Sequence, residues 1–150
     1  TCDSDLCPDI DPAGVPDVIH ALEADGFVPP PTAWLESVGL AKFKEFAVHF
    51  PHGTGLRPVD VYLATDGFQS QALARRRPVE LDEGFSTSIV APEDLLIYKL
   101  LAWRPKDVAA VQRLLAVQQD LDWNHVRRWA KQFGVEDRLS QALRSAGLDP

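Results

Sequence analysis

The chain reads as an α/β (α+β) protein, with a small mixed sheet flanked by helices first and a helical C-terminal part after it. Three observations predict this. Residues 57–64, Arg-Pro-Val-Asp-Val-Tyr-Leu-Ala, alternate side chains with the period of two that marks a half-buried strand. From residue 91 onward apolar residues recur at helical spacing instead, the pattern of helices buried on one side. Strand-like and helix-like stretches mingle in the first part and only helices follow, as in a mixed core with a helical extension. The division expected is 1–90 for the core and 91–150 for a helical part packed on it.

The first element is Thr1-Cys2-Asp3-Ser4-Asp5-Leu6-Cys7. As a strand it places Asp3 and Asp5 on one face, roughly 6–7 Å apart at Cα. Pro8 to Pro12 is a turn, and Val15 to Ala24 a helix with Val15, Val18, Ile19 and Leu22 inward and Gly26 as its stop. The three prolines that end Phe27–Pro31 exclude a central strand or a helix interior there. Residues 43–50 and 57–64 form an antiparallel hairpin around the turn-rich stretch 51–55. On its second strand Val59, Val61 and Leu63 share one face, Asp60 and Tyr62 the other.

A helix then runs from Asp66 or Gly67 to about Arg76, with Arg75-Arg76-Arg77 at its end and Pro78 as its stop. Val79–Leu81 and Phe85–Val90 are short strands around the turn Asp82-Glu83-Gly84. Pro92 suits the first position of the next helix, with Glu93 and Asp94 in the first turn, where the helix dipole favours acids. Pro105 starts another, bearing Val108, Val111, Leu114, Leu115 and Gln118. Asp122 caps a third, with Trp123, Val126, Trp129, Ala130 and Phe133 inward and Gly134 as its stop. A last helix over 135–146 buries Leu139, Ala142, Leu143 and Ala146 before Gly147. Trp103, Trp123 and Trp129 fall at core spacing and read as packing.

Composition narrows the class. Apolar content of 45% and charged content of 25% belong to an ordinary globular protein. No apolar run approaches the roughly 18 residues a membrane span needs. No basic-then-apolar leader is seen, so a cytoplasmic location is expected. Cys2 and Cys7 have opposite parity on one strand and lack zinc-site spacing, which makes both free thiols in a reducing compartment. The chain opens at Thr1 and has no methionine, so residues upstream are expected.

Net charge is −7, unevenly spread. Residues 1–74 hold three basic residues against eleven acids (−8), and residues 75–131 hold ten against eight (+2). That asymmetry suits a metal site facing phosphate-binding groups; it is equally what chance gives on a solvated surface. It disfavours broad polyelectrolyte binding of nucleic acid while leaving room for one local basic surface.

The acids carry the candidate chemistry. Two carboxylates as close as those of Asp3 and Asp5 repel unless a cation lies between them, and magnesium prefers such oxygen ligands. Asp60, between two valines, must reach solvent or find a cation. His49 and His125 lack metal-type spacing, and no Ser-His-Asp set emerges.

Taken together, Thr1-x-Asp3-x-Asp5-Leu6 and Val59-Asp60-Val61 on a later strand resemble the polymerase-β-like nucleotidyltransferase superfamily. Further segments are similar to its bacterial AbiEii-type members. They are Phe68-Gln69 with Ala72 to Val79, and Ala91-Pro92-Glu93-Asp94-Leu95-Leu96-Ile97-Tyr98-Lys99-Leu100-Leu101-Ala102 with Arg104-Pro105-Lys106-Asp107. Asp120-Leu121-Asp122-Trp123 before Arg127-Arg128-Trp129 completes them, so the resemblance covers nearly the whole chain.

The resemblance implies a polymerase-β-like fold and transfer of a nucleoside monophosphate from a nucleoside triphosphate to a hydroxyl of RNA, protein or a small molecule. Asp3 and Asp5 match the paired acids that hold two magnesium ions, and Asp60 matches the third, which completes the metal site and helps deprotonate the attacking hydroxyl. Lys99 matches a catalytic lysine near the phosphates. Arg104, Lys106 and Asp107 match a nucleotide-binding signature beside it. A toxin–antitoxin context, with an antitoxin as partner, is implied too. The family's Gly-Gly or Gly-Ser turn lies upstream of the acid pair, a place that falls before Thr1 here; its presence there would favour the transferase and its absence an inactive module.

Other readings stand beside these. Lys99 is also what a solvated helix residue looks like, and Asp107 suits an ion pair that holds Lys99 or Arg104 in place. Arg75 to Arg77 fit helix capping or phosphate contact, and Arg127, Arg128 and Lys131 fit a wet helix face. A nucleotidyltransferase fold kept as an inactive binding module, or a phosphohydrolase using the same carboxylates, are the rival functions.

Overall fold

The computed structural model describes residues 4–30 and 45–149. Along them run β1 (Ser4–Leu6), a short 3-10 turn (Pro12–Gly14), α1 (Val15–Ala24), β2 (Glu45–His52), β3 (Gly55–Tyr62) and α2 (Gly67–Ala74). There follow β4 (Arg77–Asp82), β5 (Phe85–Ile89), α3 (Pro92–Ala102), α4 (Pro105–Val117), α5 (Trp123–Gln132) and α6 (Glu136–Ser145). Mixed strands and helices thus precede a run of helices, an α+β arrangement. Two compact units form, Thr1–Leu73 and Ala74–Pro150. The β4–β5 hairpin belongs with the helices in this division, whereas a boundary after residue 90 groups it with the first strands.

In the first unit β3 is central, with β1 parallel on one side and β2 antiparallel on the other. Alternation on β3 sends Val59 and Val61 to one face, and Leu63 follows them. α1 covers that face with Val15 and Ile19, and Val48 from β2 completes the buried cluster. Each such side chain gains roughly 1.5–3 kcal/mol from leaving water. Ile10, Leu22, Phe27 and Phe50 pack around its edge.

The turn-rich stretch 51–55 is shorter as a loop than its composition predicts. His52 pairs with Gly55 and Pro51 with Leu56, leaving only Gly53 and Thr54 as the turn. Gly53 has φ +60°, the left-handed conformation a two-residue hairpin turn requires. Pro51 is tolerated in the ladder because β2 is an edge strand. Asp66 caps α2 by accepting the Gln69 N–H at 2.7 Å.

In the second unit β4 and β5 make a separate two-stranded hairpin, turning at Gly84 with φ +82°. Its strand starts at Arg77, so Pro78 lies within β4 rather than only ending a helix. The four helices supply most of the buried side chains, with Ala91, Leu121 and Val135 beside their ends. α3 packs against α4 and α5, and α6 against α4 and α5. Leu96, Ile97 and Leu100 of α3 are fully buried, as are Val111 of α4 and Val126 of α5. Trp129 is buried as expected, but Trp103 and Trp123 are only half-buried. Their indole faces carry Arg138 and Arg127 at 5.9 and 6.0 Å, so their aromatic area serves surface cations rather than core packing alone. Among the described residues no helix is long and apolar enough to cross a membrane.

Candidate functional site

The register of β1 on β3 sets the first group. Ser4 pairs with Val59, Asp5 with Asp60 and Leu6 with Val61. Partners in a parallel ladder project to the same face, and neighbouring strands lie about 4.8 Å apart. Since the valines of β3 face α1, Asp5 and Asp60 stand side by side on the opposite face. Asp5 is exposed and Asp60 half-buried. On the other side of Asp60 its ladder partner is Ala47, whose methyl group takes little room beside the carboxylate. Asp3 and Cys2 lie outside the described residues, while Cys7 is an exposed free thiol. Among the described residues no group of three His, Cys, Asp or Glu is placed to hold a metal. What is present is two oxygen donors in register, a pair whose mutual repulsion a divalent cation relieves.

The second group gathers at the elbow between α3 and α4. Lys99 lies in the last turn of α3, and Trp103 ends the helix in a left-handed conformation, φ 49°. Pro105 then opens α4, with Asp107 in its first turn. Asp107 is buried at 1% exposure. Its carboxylate accepts Arg104 Nε at 2.6 Å, Arg104 Nη2 at 3.3 Å and the Arg104 backbone N–H at 3.1 Å. Lys99 Nζ approaches the same carboxylate at 3.4 Å. The bonded Arg104 guanidinium, aided by its backbone N–H and Lys99, holds Asp107 down to about 2 against the upward push of burial. One buried acid therefore positions two cations whose side chains remain 30% and 57% exposed. Lys106 sits exposed on the same turn. Asp107 serves these cations, which is the ion-pair role expected of it.

The third group was hidden from pattern reading. Glu93 and Asp94 occupy the first turn of α3, yet they are buried at 2% and 0% exposure. Arg75 reaches both, with Nη2 3.3 Å from Glu93 and Nε 3.2 Å from Asp94. Arg77 Nη2 lies 3.5 Å from Glu93. Glu93 also accepts the Asp122 backbone N–H at 3.2 Å. His125 is buried against Asp94, Nε2 to Oδ1 at 2.6 Å. Burial pushes the Glu93 carboxyl up, but the Glu93 and Asp122 backbone N–H groups, then Arg77 and Arg75, bring it below its ordinary range.

Arg75 and Arg77 are thus partners of buried acids rather than caps of α2, which ends at Ala74. A signal for this exists in the sequence. Leu95, Leu96, Ile97, Leu100 and Leu101 leave α3 few faces for water, so acids at 93 and 94 need buried partners.

Of the sequence-expected residues, the structure brings Asp5 beside Asp60, and Lys99 and Arg104 to Asp107. The first pair lies in the first compact unit and the others in the second. No protein-family model matches the chain, and no curated protein matches it either.

Proposed function

We propose that the protein is a magnesium-dependent nucleotidyltransferase of the polymerase-β-like, AbiEii-related kind, moving a nucleoside monophosphate from a nucleoside triphosphate onto a hydroxyl acceptor. The observation that carries this reading is the register of Asp5 against Asp60 on parallel strands, on the face away from α1. Two acids on that face, with a small residue beside them, are a costly arrangement for a solvated sheet and a fitting one for a hard cation.

Asp5 and Asp60 fit magnesium by donor type and placement, and Asp3 is the further ligand the reading requires. When bound, magnesium supplies charge neutralisation at the reacting phosphate and lowers the cost of an attacking alkoxide. Asp60, half-buried, is the carboxylate assigned to take the proton of the attacking hydroxyl. Lys99 and Arg104 are assigned to phosphate oxygens, with Asp107 fixing their side chains and Lys106 adding charge at the same turn. An RNA or protein acceptor and an antitoxin partner belong to the same reading.

Incubation with labelled nucleoside triphosphates, magnesium and total cellular RNA or protein tests it. The expected result is label attached to an acceptor with the wild-type chain and none with Asp60→Ala. Release of free phosphate without labelled acceptor would instead identify a hydrolase. Transfer that persists in Asp60→Ala, or that needs no divalent cation, sinks the proposal.

A further inference from the structure

The second unit carries a surface that the carboxylate chemistry does not use. α5 buries His125, Val126, Trp129 and Ala130. Helical spacing therefore turns Asn124, Arg127, Arg128 and Lys131 to the outside as one stripe. In a chain of net charge −7 these three cations are a local exception. They form one wall of a groove of about 360 Å³, whose α6 wall is Glu136, Leu139 and Ser140.

Two of the cations are held in place rather than left to solvent. Arg127 lies over the Trp123 ring at 6.0 Å. Arg128 lies over Trp129 at 5.5 Å, and its Nη2 is 3.4 Å from His125 Nδ1. His125 is fixed in turn by Asp94 at 2.6 Å, and Asp94 by Arg75 at 3.2 Å. A buried relay thus ends at a guanidinium on the groove wall. A planar guanidinium fixed in this way matches a carboxylate with two parallel hydrogen bonds and loses little freedom on binding.

We propose that the α5–α6 groove docks an acidic peptide segment of a partner protein. The facing wall distinguishes this occupant from a nucleic acid. Glu136 repels a phosphodiester strand, whereas it pairs with a lysine or backbone N–H of a peptide. Leu139 and Leu143 line the groove but are 5% and 2% exposed, so the charged walls carry the recognition. The net charge of −7 opposes a long polyanion at distance more than a short segment of mixed charge. The ligand is therefore a segment with carboxylates along one edge and a cation on the other. The inference is independent of the proposed transferase chemistry.

Fluorescence anisotropy with the full chain tests it. The probes are a labelled peptide built of Glu-Glu-Leu-Lys repeats and a labelled single-stranded oligouridine of the same length. The peptide is expected to bind saturably and more tightly than the RNA at physiological salt. Arg127→Glu with Lys131→Glu is expected to weaken it by about tenfold or more. Arg127→Gln is expected to give a smaller loss in the same direction, and circular dichroism should show each variant as helical as the wild type. Absence of saturable peptide binding, tighter binding of the RNA, or peptide affinity unchanged by the double substitution overturns the proposal.

Discussion

His125 and Asp94 are 31 residues apart in the chain and 2.6 Å apart in the fold, Nε2 against Oδ1, and both are buried. A carboxylate only accepts, so Nε2 carries the hydrogen and Nδ1 faces Arg128 as an acceptor. The contact joins the first turn of α3 to the first turn of α5. His125→Ala leaves Asp94 buried with one partner fewer, at a cost of roughly 3 kcal/mol. Urea unfolding followed by circular dichroism measures it. His125→Gln keeps a donor in reach and should recover part of the loss. An alanine variant as stable as the wild type would mean that the pair holds nothing together.

Asp107 links stability to pH. Its carboxyl is lowered to about 2 from 3.8, chiefly by the Arg104 hydrogen bonds. The charged form is therefore favoured in the folded chain, and its stabilisation is complete above the unfolded value of 3.8. As pH falls toward about 2 that contribution is lost. Asp107→Asn removes the charge at every pH and should cost roughly 1.5–3 kcal/mol at neutral pH, the range for hydrogen bonds to charged groups. The gap between the two urea midpoints should close between pH 4 and pH 2, a window set by the same two values. A gap that stays constant across it would assign the loss to packing instead.

How far the fold was legible depends on whether its cause is local. Val59-Asp60-Val61 announces which face Asp60 takes, since strand alternation needs no partner. Pro92, Pro105 and Asp122 mark three helix starts for similarly local reasons. The pairing of Asp5 with Asp60 is different, because β1 and β3 are brought together by the core beneath them. No spacing rule states that register, which only the contact between the two strands fixes. The first-turn placement of Glu93 and Asp94 is legible but their burial is not, because a first-turn acid looks the same whether it meets water or an arginine. Their partner Arg75 is 18 and 19 residues upstream, beyond the reach of any helical pattern.

Arg138 closes the far end of α3. Its Nη1 donates to the Leu100 carbonyl at 2.8 Å and the Leu101 carbonyl at 3.0 Å, and its guanidinium lies over Trp103. Those carbonyls belong to the last turn, which has no helical donors of its own. Arg138→Ala exposes them to water alone and should lower stability by about 1–2 kcal/mol. Arg138→Lys should recover less than half, since one ammonium cannot serve two carbonyls and stack on the indole as well. Hydrogen exchange of the amides in this last turn of α3 provides a local readout. Faster exchange confined to that turn is expected; uniform acceleration along α3 would contradict the capping role.

Asp5 and Asp60 make opposite predictions with and without magnesium. In a chelating buffer the two adjacent carboxylates repel, and like charges opposite one another on a sheet cost up to about 1 kcal/mol. Asp60→Asn should then raise the melting midpoint slightly. With magnesium in large excess the wild type gains binding energy, on the order of 2–3 kcal/mol at a hundredfold excess over Kd. The asparagine variant loses most of that gain, since an amide is a poorer ligand for a hard cation than a carboxylate. The order of the two midpoints should therefore reverse on adding magnesium and return on adding chelator. Reversal ties the cation to this pair without any assay of transfer. A magnesium shift of equal size in both proteins would place the cation elsewhere, and a higher variant midpoint in both buffers would leave the two acids as a repulsive pair with no ion to reconcile them.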